Sequence, residues 1–190
     1  MAVVFFLCLA QFDARSGQLN TRLLDACAIL FLIAALSDVL DGYLARKQNQ
    51  VTSFGRVIDP FVDKILVIGA YIFLAGEGFL GQGGEKISNV AGWMVVVILG
   101  RELLVTSLRG VTEAAGQAFG ANVYGKAKML LQSTTVVWIL LTLAHPQSLA
   151  FFVPARPILV YLTVIVTFLS VVPYLRMARG VLSQTSVPTT

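Results

Sequence analysis

The chain has 190 residues, 57% of them hydrophobic and 13% charged, with a mean hydropathy of +0.81. Soluble domains carry about 25% charged residues, so this composition excludes a disordered chain, a coiled coil and an ordinary soluble enzyme, and it is that of a polytopic membrane protein. The net charge of +4 comes from 14 Lys and Arg scattered along the chain, which excludes a nucleic-acid groove of the usual kind.

Apolar runs about 20 residues long predict membrane helices over 24–46, 57–76, 89–112, 126–144 and 156–178. A further apolar run over 1–12 is too short to cross a hydrocarbon core about 30 Å thick. It has no basic start and no small-residue cleavage site, so it is not read as a signal peptide. The expectation is an all-α, six-helix transmembrane bundle forming a single domain over 1–190, its first helix truncated and beginning upstream of Met1. Glycines in the connections (Gly76, Gly78, Gly81, Gly83 and Gly84, then Gly116, Gly120 and Gly125) permit turns but form no phosphate-loop pattern.

Counting alternate loops, Arg46, Lys47, Arg56, Arg109, Lys126, Lys128, Arg176 and Arg179 fall on one side. Arg15, Arg22, Lys86 and Arg156 fall on the other. The positive-inside bias makes the first side cytoplasmic, which places the protein in the plasma or inner membrane. Cys8 and Cys27 read as packing residues, and His145 as an interfacial loop residue with no second histidine for a metal site. Trp93 and Tyr174 read as interface anchors.

Four of the ten acids, Asp38, Asp41, Asp59 and Asp63, fall at the junction of the second and third helices. An aspartate at the centre of a membrane helix costs about 2.5–3.5 kcal/mol on insertion scales. Four together repel unless something neutralises them. Asp38 and Asp41 are spaced i, i+3, and Asp59 and Asp63 i, i+4, so each pair shares a helix face. A short loop makes the helices antiparallel neighbours, and carboxylates converging from both suit one or two hard cations, Mg²⁺ or Mn²⁺. Gly42 and Ala45 beside Asp41, and Gly55 one turn before Asp59, leave room for close approach of a substrate. Arg46 adds a cation for a phosphate oxygen. The alternative is a solvated helix end on which these acids pair with Arg46, Arg56 and Lys64.

Residues 38–63 read DVLDGYLARKQNQVTSFGRVIDPFVD. This resembles the CDP-alcohol phosphatidyltransferase family signature, D-x2-D-G-x2-A-R-x8-G-x3-D-x3-D, with all eight positions filled by Asp38, Asp41, Gly42, Ala45, Arg46, Gly55, Asp59 and Asp63. The resemblance implies six transmembrane helices and transfer of a phosphatidyl or similar group from a CDP-linked donor to an alcohol, with release of CMP. It implies two divalent cations on Asp38, Asp41 and Asp59, completed by Asp63, and Asp63 as general base on the acceptor hydroxyl. It implies a nucleotide pocket of Asp38, Asp41, Gly42, Ala45, Arg46 and Gly55. It further implies a homodimer, for which Gly92 and Gly100 are candidate helix-contact residues.

The acceptor is read from a second polar group. Arg101 and Glu102 interrupt the fourth span, Arg109 follows two turns on, and Lys126 and Lys128 open the fifth. Arg101, Arg109, Lys126 and Lys128 are therefore candidates to bind an acceptor phosphate. The alternative is an Arg101–Glu102 pair joining helices, with ordinary basic flanks at Lys126 and Lys128. The order R-E-x6-R followed by G-K-x-K is similar to the branch of the family that uses CDP-diacylglycerol as donor and sn-glycerol 3-phosphate as acceptor, making phosphatidylglycerophosphate. Met129 departs from that branch's threonine, and its N-terminal N-x-L-T-x2-R segment is not in the sequence. Inositol phosphate and phosphatidylglycerol are the competing acceptors. A transporter and an inactive membrane scaffold are the competing functions from other classes.

Overall fold

The computed structural model describes the backbone of residues 1–16, 20–47, 53–114 and 123–176. Within these it leaves out the side chains of 16, 38, 39, 41–47, 53–63, 111–114 and 123–126. The helices are α1 (Ala2–Ala10), α2 (Thr21–Lys47), α3 (Ser53–Ala75), α4 (Gly92–Ala114), α5 (Val123–Ala144) and α6 (Ala155–Leu169), with a further helical turn over 172–176. Among the described residues there is no strand, only an isolated antiparallel bridge between Leu80 and Lys86. The five apolar runs predicted from the sequence fall on α2 to α6 with their ends shifted by at most four residues, except that α6 ends at Leu169 and a separate helical turn over 172–176 follows within the run predicted to 178.

Local chemistry sets the element ends. Pro154 stands immediately before α6, where its missing N–H costs no helical bond. The link from α3 to α4 is fastened by Ser88, whose buried hydroxyl donates to the Leu74 carbonyl (2.6 Å) and accepts from the Val90 N–H (3.2 Å). Gly84 (φ 80°) and Asn89 (φ 61°) take the left-handed conformations that this tight return requires.

Helix α2 packs against α1, α3 and α5; α6 closes the far side of α5 and also meets α4. Phe5, Phe31, Leu24, Leu66, Tyr71, Leu74, Ile98, Ile139 and Leu140 form a core with almost no exposure. Polar links cross the α5–α6 contact: Gln132 Nε2 donates to Thr167 Oγ1 (3.0 Å), and the Thr135 and Thr163 hydroxyls share a bond of 2.8 Å. The outer faces carry many large apolar side chains, with Val3, Leu7, Ile29, Leu36, Val96, Leu103, Leu130, Ile158 and Phe168 all exposed. Helices apolar all round need an apolar surrounding. Among the described residues, the stretches Ala127–Ala144 and Ala150–Arg176 are long and apolar enough to cross a membrane, and Lys64–Ala75 of α3 is apolar but shorter.

One close helix approach depends on a glycine. A Cβ on Gly69 of α3 would stand 2.4 Å from Cζ of Phe6 on α1. Gly69→Val therefore forces the Phe6 ring out of its stack on Phe73 (centroids 5.7 Å apart). The expected cost is about 1–3 kcal/mol, read as a lower unfolding midpoint in detergent and relieved when Phe6→Ala is added. Among the described residues nothing lies within 4 Å of a Cβ built on Gly92 or Gly100.

Candidate active site

Asp38 and Asp41 lie on α2, near the end where it leads through residues 48–52 into α3, which carries Asp59 and Asp63. Because α2 and α3 pack together and are joined by so short a link, the four positions belong to the same end of the bundle. The side chains of these aspartates, and of Gly42, Ala45, Arg46, Gly55 and Lys126, lie outside the described residues. Among the described residues no group of three or more His, Cys, Asp or Glu is placed to hold a metal. The four aspartates of the motif stand on two packed helices, and carboxylate oxygens are the donors that a hard cation takes.

The described part of the site begins one residue on. Lys64 follows Asp63, and its ammonium donates to the Thr106 hydroxyl and lies 3.8 Å from Glu102 Oε2. Thr106 is itself held by the Glu102 carbonyl (2.8 Å), one turn back along α4. Glu102 is buried, and two further cations converge on its Oε1: Arg101 Nη1 at 2.8 Å and Lys128 Nζ from α5. Three helices thus meet at one carboxylate. Among the described residues three cations face this single acid.

Arg101 is aimed with care. Its Nε donates to Ser170 Oγ (2.9 Å), whose hydroxyl donates in turn to the Thr167 carbonyl (2.6 Å). Its guanidinium carbon lies 5.5 Å from the ring centroid of Tyr174, within the range of a cation–π contact. Among the described residues its buried Nη2 has no hydrogen-bond partner. A buried donor without a partner costs about 1–3 kcal/mol, and an incoming anion would satisfy it. Arg109 is exposed and within electrostatic reach of Arg101, and Lys128 is within reach of both Arg101 and Lys64.

Of the predicted phosphate-binding residues, Arg101 and Lys128 are brought together. Arg109 stands two turns along α4, and Lys126 is placed only by its helix. The Arg101–Glu102 pair weighed as an alternative is present, but it is part of a larger group rather than a lone link between helices. Sequence reasoning did not assign Lys64, Glu102, Thr106 and Ser170 to the site. Tyr174 corrects an expectation: it is not an exposed interface anchor but a buried residue at 4% exposure, turned under Arg101. At the opposite end, His145 is not simply a loop residue, since its Nε2 lies 2.9 Å from Asp25 Oδ1 and joins the end of α5 to the start of α2.

Comparison with known proteins adds identity to this geometry. A 43% identical relative from Bacillus subtilis (strain 168), named CDP-diacylglycerol–glycerol-3-phosphate 3-phosphatidyltransferase, aligns over 61% of this chain and 55% of its own length. Relatives of the same name from Yersinia pestis (strain Pestoides F) and Haemophilus influenzae are 32% and 30% identical, over 80% of this chain and 78% and 76% of theirs. The chain thus spans little more than half of the Bacillus relative. The model of the CDP-alcohol phosphatidyltransferase family matches residues 1–169, which include every signature aspartate and the Glu102 group. With the eight-position signature on two packed helices and a family match over most of its length, the chain belongs to the CDP-alcohol phosphatidyltransferase family.

Proposed function

We propose that the chain transfers the phosphatidyl group of CDP-diacylglycerol to a hydroxyl of sn-glycerol 3-phosphate, giving phosphatidylglycerophosphate and CMP. The observation that carries this reading is the reach of Lys64. The residue next to Asp63 is held on the same carboxylate as Arg101 and Lys128, so a phosphate-binding group sits beside the aspartate motif. An acceptor that bears both a phosphate and a hydroxyl fits that juxtaposition. The names of the relatives point to the same acceptor.

Asp38, Asp41, Asp59 and Asp63 would hold two divalent cations, Mg²⁺ or Mn²⁺, which when bound neutralise the diphosphate and stabilise charge on the transferred phosphoryl group. Gly42, Ala45 and Gly55 line the nucleotide, and Arg46 holds a phosphate oxygen. Arg101 and Lys128 bind the acceptor phosphate, Arg101 through the donor it has free, and Arg109 and Lys126 add charge at the approach. Asp63 accepts the proton from the acceptor hydroxyl. A carboxylate is a weak base for an alcohol of pKa about 15, so proton transfer accompanies formation of the phosphorus–oxygen bond.

The chain acts as a single six-helix membrane domain over 1–190 and as a homodimer. The aspartate end faces the cytoplasm, where glycerol 3-phosphate is dissolved, and the donor's acyl chains stay in the bilayer. The charge count agrees with this orientation, since Lys86 and Arg156, assigned to the other side, line one cavity at the opposite end. Incubation with CDP-diacylglycerol, Mg²⁺ and radiolabelled glycerol 3-phosphate tests the reading. Label is expected in a lipid product in equal amount to CMP, with EDTA abolishing both. CMP release without labelled lipid would contradict it.

A further inference from the structure

The end of the bundle away from the aspartates contains a second buried cation. Arg156 is the second residue of α6 and only 7% exposed. Its Nε donates to Thr142 Oγ1 (2.9 Å) and its Nη1 to the Ile87 carbonyl (2.7 Å). Both acceptors are uncharged. Among the described residues no carboxylate pairs with Arg156. The position is doubly unfavourable for an isolated cation. It lies in the first turn of a helix, at the positive end of the dipole, and α6 has no acid in that turn. A buried charge left uncompensated is expensive.

Arg156 lines an open cavity of about 680 Å³ together with Lys86, Gln82, Asn89 and Glu85. Lys86 donates one proton to the carbonyl of Ala75 (2.6 Å), which leaves two for another partner. Glu85, folded over Gly81 and Gly83, pairs with neither cation. The cavity thus offers a buried guanidinium, an exposed ammonium and two amides, a donor set suited to a tetrahedral oxyanion. Its level in the bilayer is marked by aromatic residues. Phe151 is 88% exposed and Trp93 half exposed, and Trp138 donates its indole N–H to the Phe152 carbonyl (3.2 Å). Such a belt marks the boundary between membrane and water, where lipid phosphates lie.

We propose that this cavity is a second anion site, binding a phosphate group, of a phospholipid headgroup or free in solution, between Arg156 and Lys86. The site is separate from the catalytic end, since α2 and α5 meet here through Thr21 and the Ala144 carbonyl, a full helix length from the aspartate loop.

The test uses the full chain in a phosphate-free glycoside detergent. It is titrated separately with inorganic phosphate and with phosphatidylglycerol, using diacylglycerol as the phosphate-free control. Native mass spectrometry counts bound molecules and gives the affinity. Both probes also meet the catalytic end, so the readout is the difference between wild type and variant. Arg156→Gln is expected to lose one bound molecule or to weaken it at least about tenfold, and Lys86→Gln to weaken it about threefold. A difference seen with phosphatidylglycerol alone assigns the headgroup as the ligand, and one seen with both probes assigns the phosphate itself. If both variants bind both probes as the wild type does, the site does not exist. Should Arg156→Gln fail to fold, Lys86→Gln, whose side chain is exposed, decides alone.

Discussion

Replacing Asp63 with asparagine lowers CMP release by at least about 10³-fold while leaving the helical content of the protein unchanged. Asparagine keeps the size of the side chain and removes its charge and its basicity. Loss of a general base alone costs about 10²–10⁴-fold, and the loss of a cation ligand adds to it. The backbone at this position is held independently of the aspartate, because Lys64 is fastened to Thr106 and Glu102 on α4. The variant therefore tests chemistry rather than folding, and circular dichroism checks the fold. Activity within tenfold of wild type would remove Asp63 from the reaction. An inactive scaffold would be indifferent to the change throughout.

Glu102→Gln has the largest effect expected on stability, about 3–5 kcal/mol. Glu102 and its partners Arg101 and Lys128 have side chains 9%, 5% and 4% exposed, so water cannot compensate the cations once the acid is gone. Lys64, at 32%, turns outward at less cost. The measurement is the unfolding midpoint in detergent for Glu102→Gln, Lys128→Gln and the double variant. Lys128→Gln alone costs less, because Glu102 keeps Arg101 and Lys64. The double variant recovers part of the loss, because one stranded cation is removed with the acid. A loss under about 1 kcal/mol for Glu102→Gln would mean that the group is solvated and that Glu102 does not organise it. The same variant should raise the KM for glycerol 3-phosphate more than that for CDP-diacylglycerol, since it releases the two side chains proposed to bind the acceptor phosphate.

The placement of the aspartate motif on two joined helices was legible in the sequence because its spacing is local. Asp38 and Asp41, then Asp59 and Asp63, are related by helical spacing within single helices, and the link over 48–52 is too short for those helices to separate. The helices themselves were legible from their apolar length. What one dimension hides is the register between helices. Glu102 gathers Lys64 from 38 positions before it and Lys128 from 26 after it, and no periodicity relates the three. Arg101 depends likewise on Ser170 and Tyr174, brought in by the last helical segment. Tyr174 was misread because an aromatic residue near a helix end fits an interface anchor equally well, and only the packing of that segment turns it inward. The His145–Asp25 contact spans 120 positions and exists because the end of α5 lies against the start of α2. Arg156 opens the last predicted span and counts there only as a flanking charge; its burial against Thr142 and the Ile87 carbonyl depends on the packing of α6 on its neighbours.

The central claim is that the cations around Glu102 select a phosphorylated alcohol for the aspartate-bound donor. The most direct measurement is CMP release from CDP-diacylglycerol by the purified chain with Mg²⁺ across a panel of acceptors: glycerol 3-phosphate, inositol phosphate, inositol, serine and phosphatidylglycerol. Release with glycerol 3-phosphate, and not with serine or unphosphorylated inositol, is the predicted result. Equal release with inositol and with glycerol 3-phosphate would contradict the claim, because it would leave Arg101 and Lys128 no phosphate to recognise.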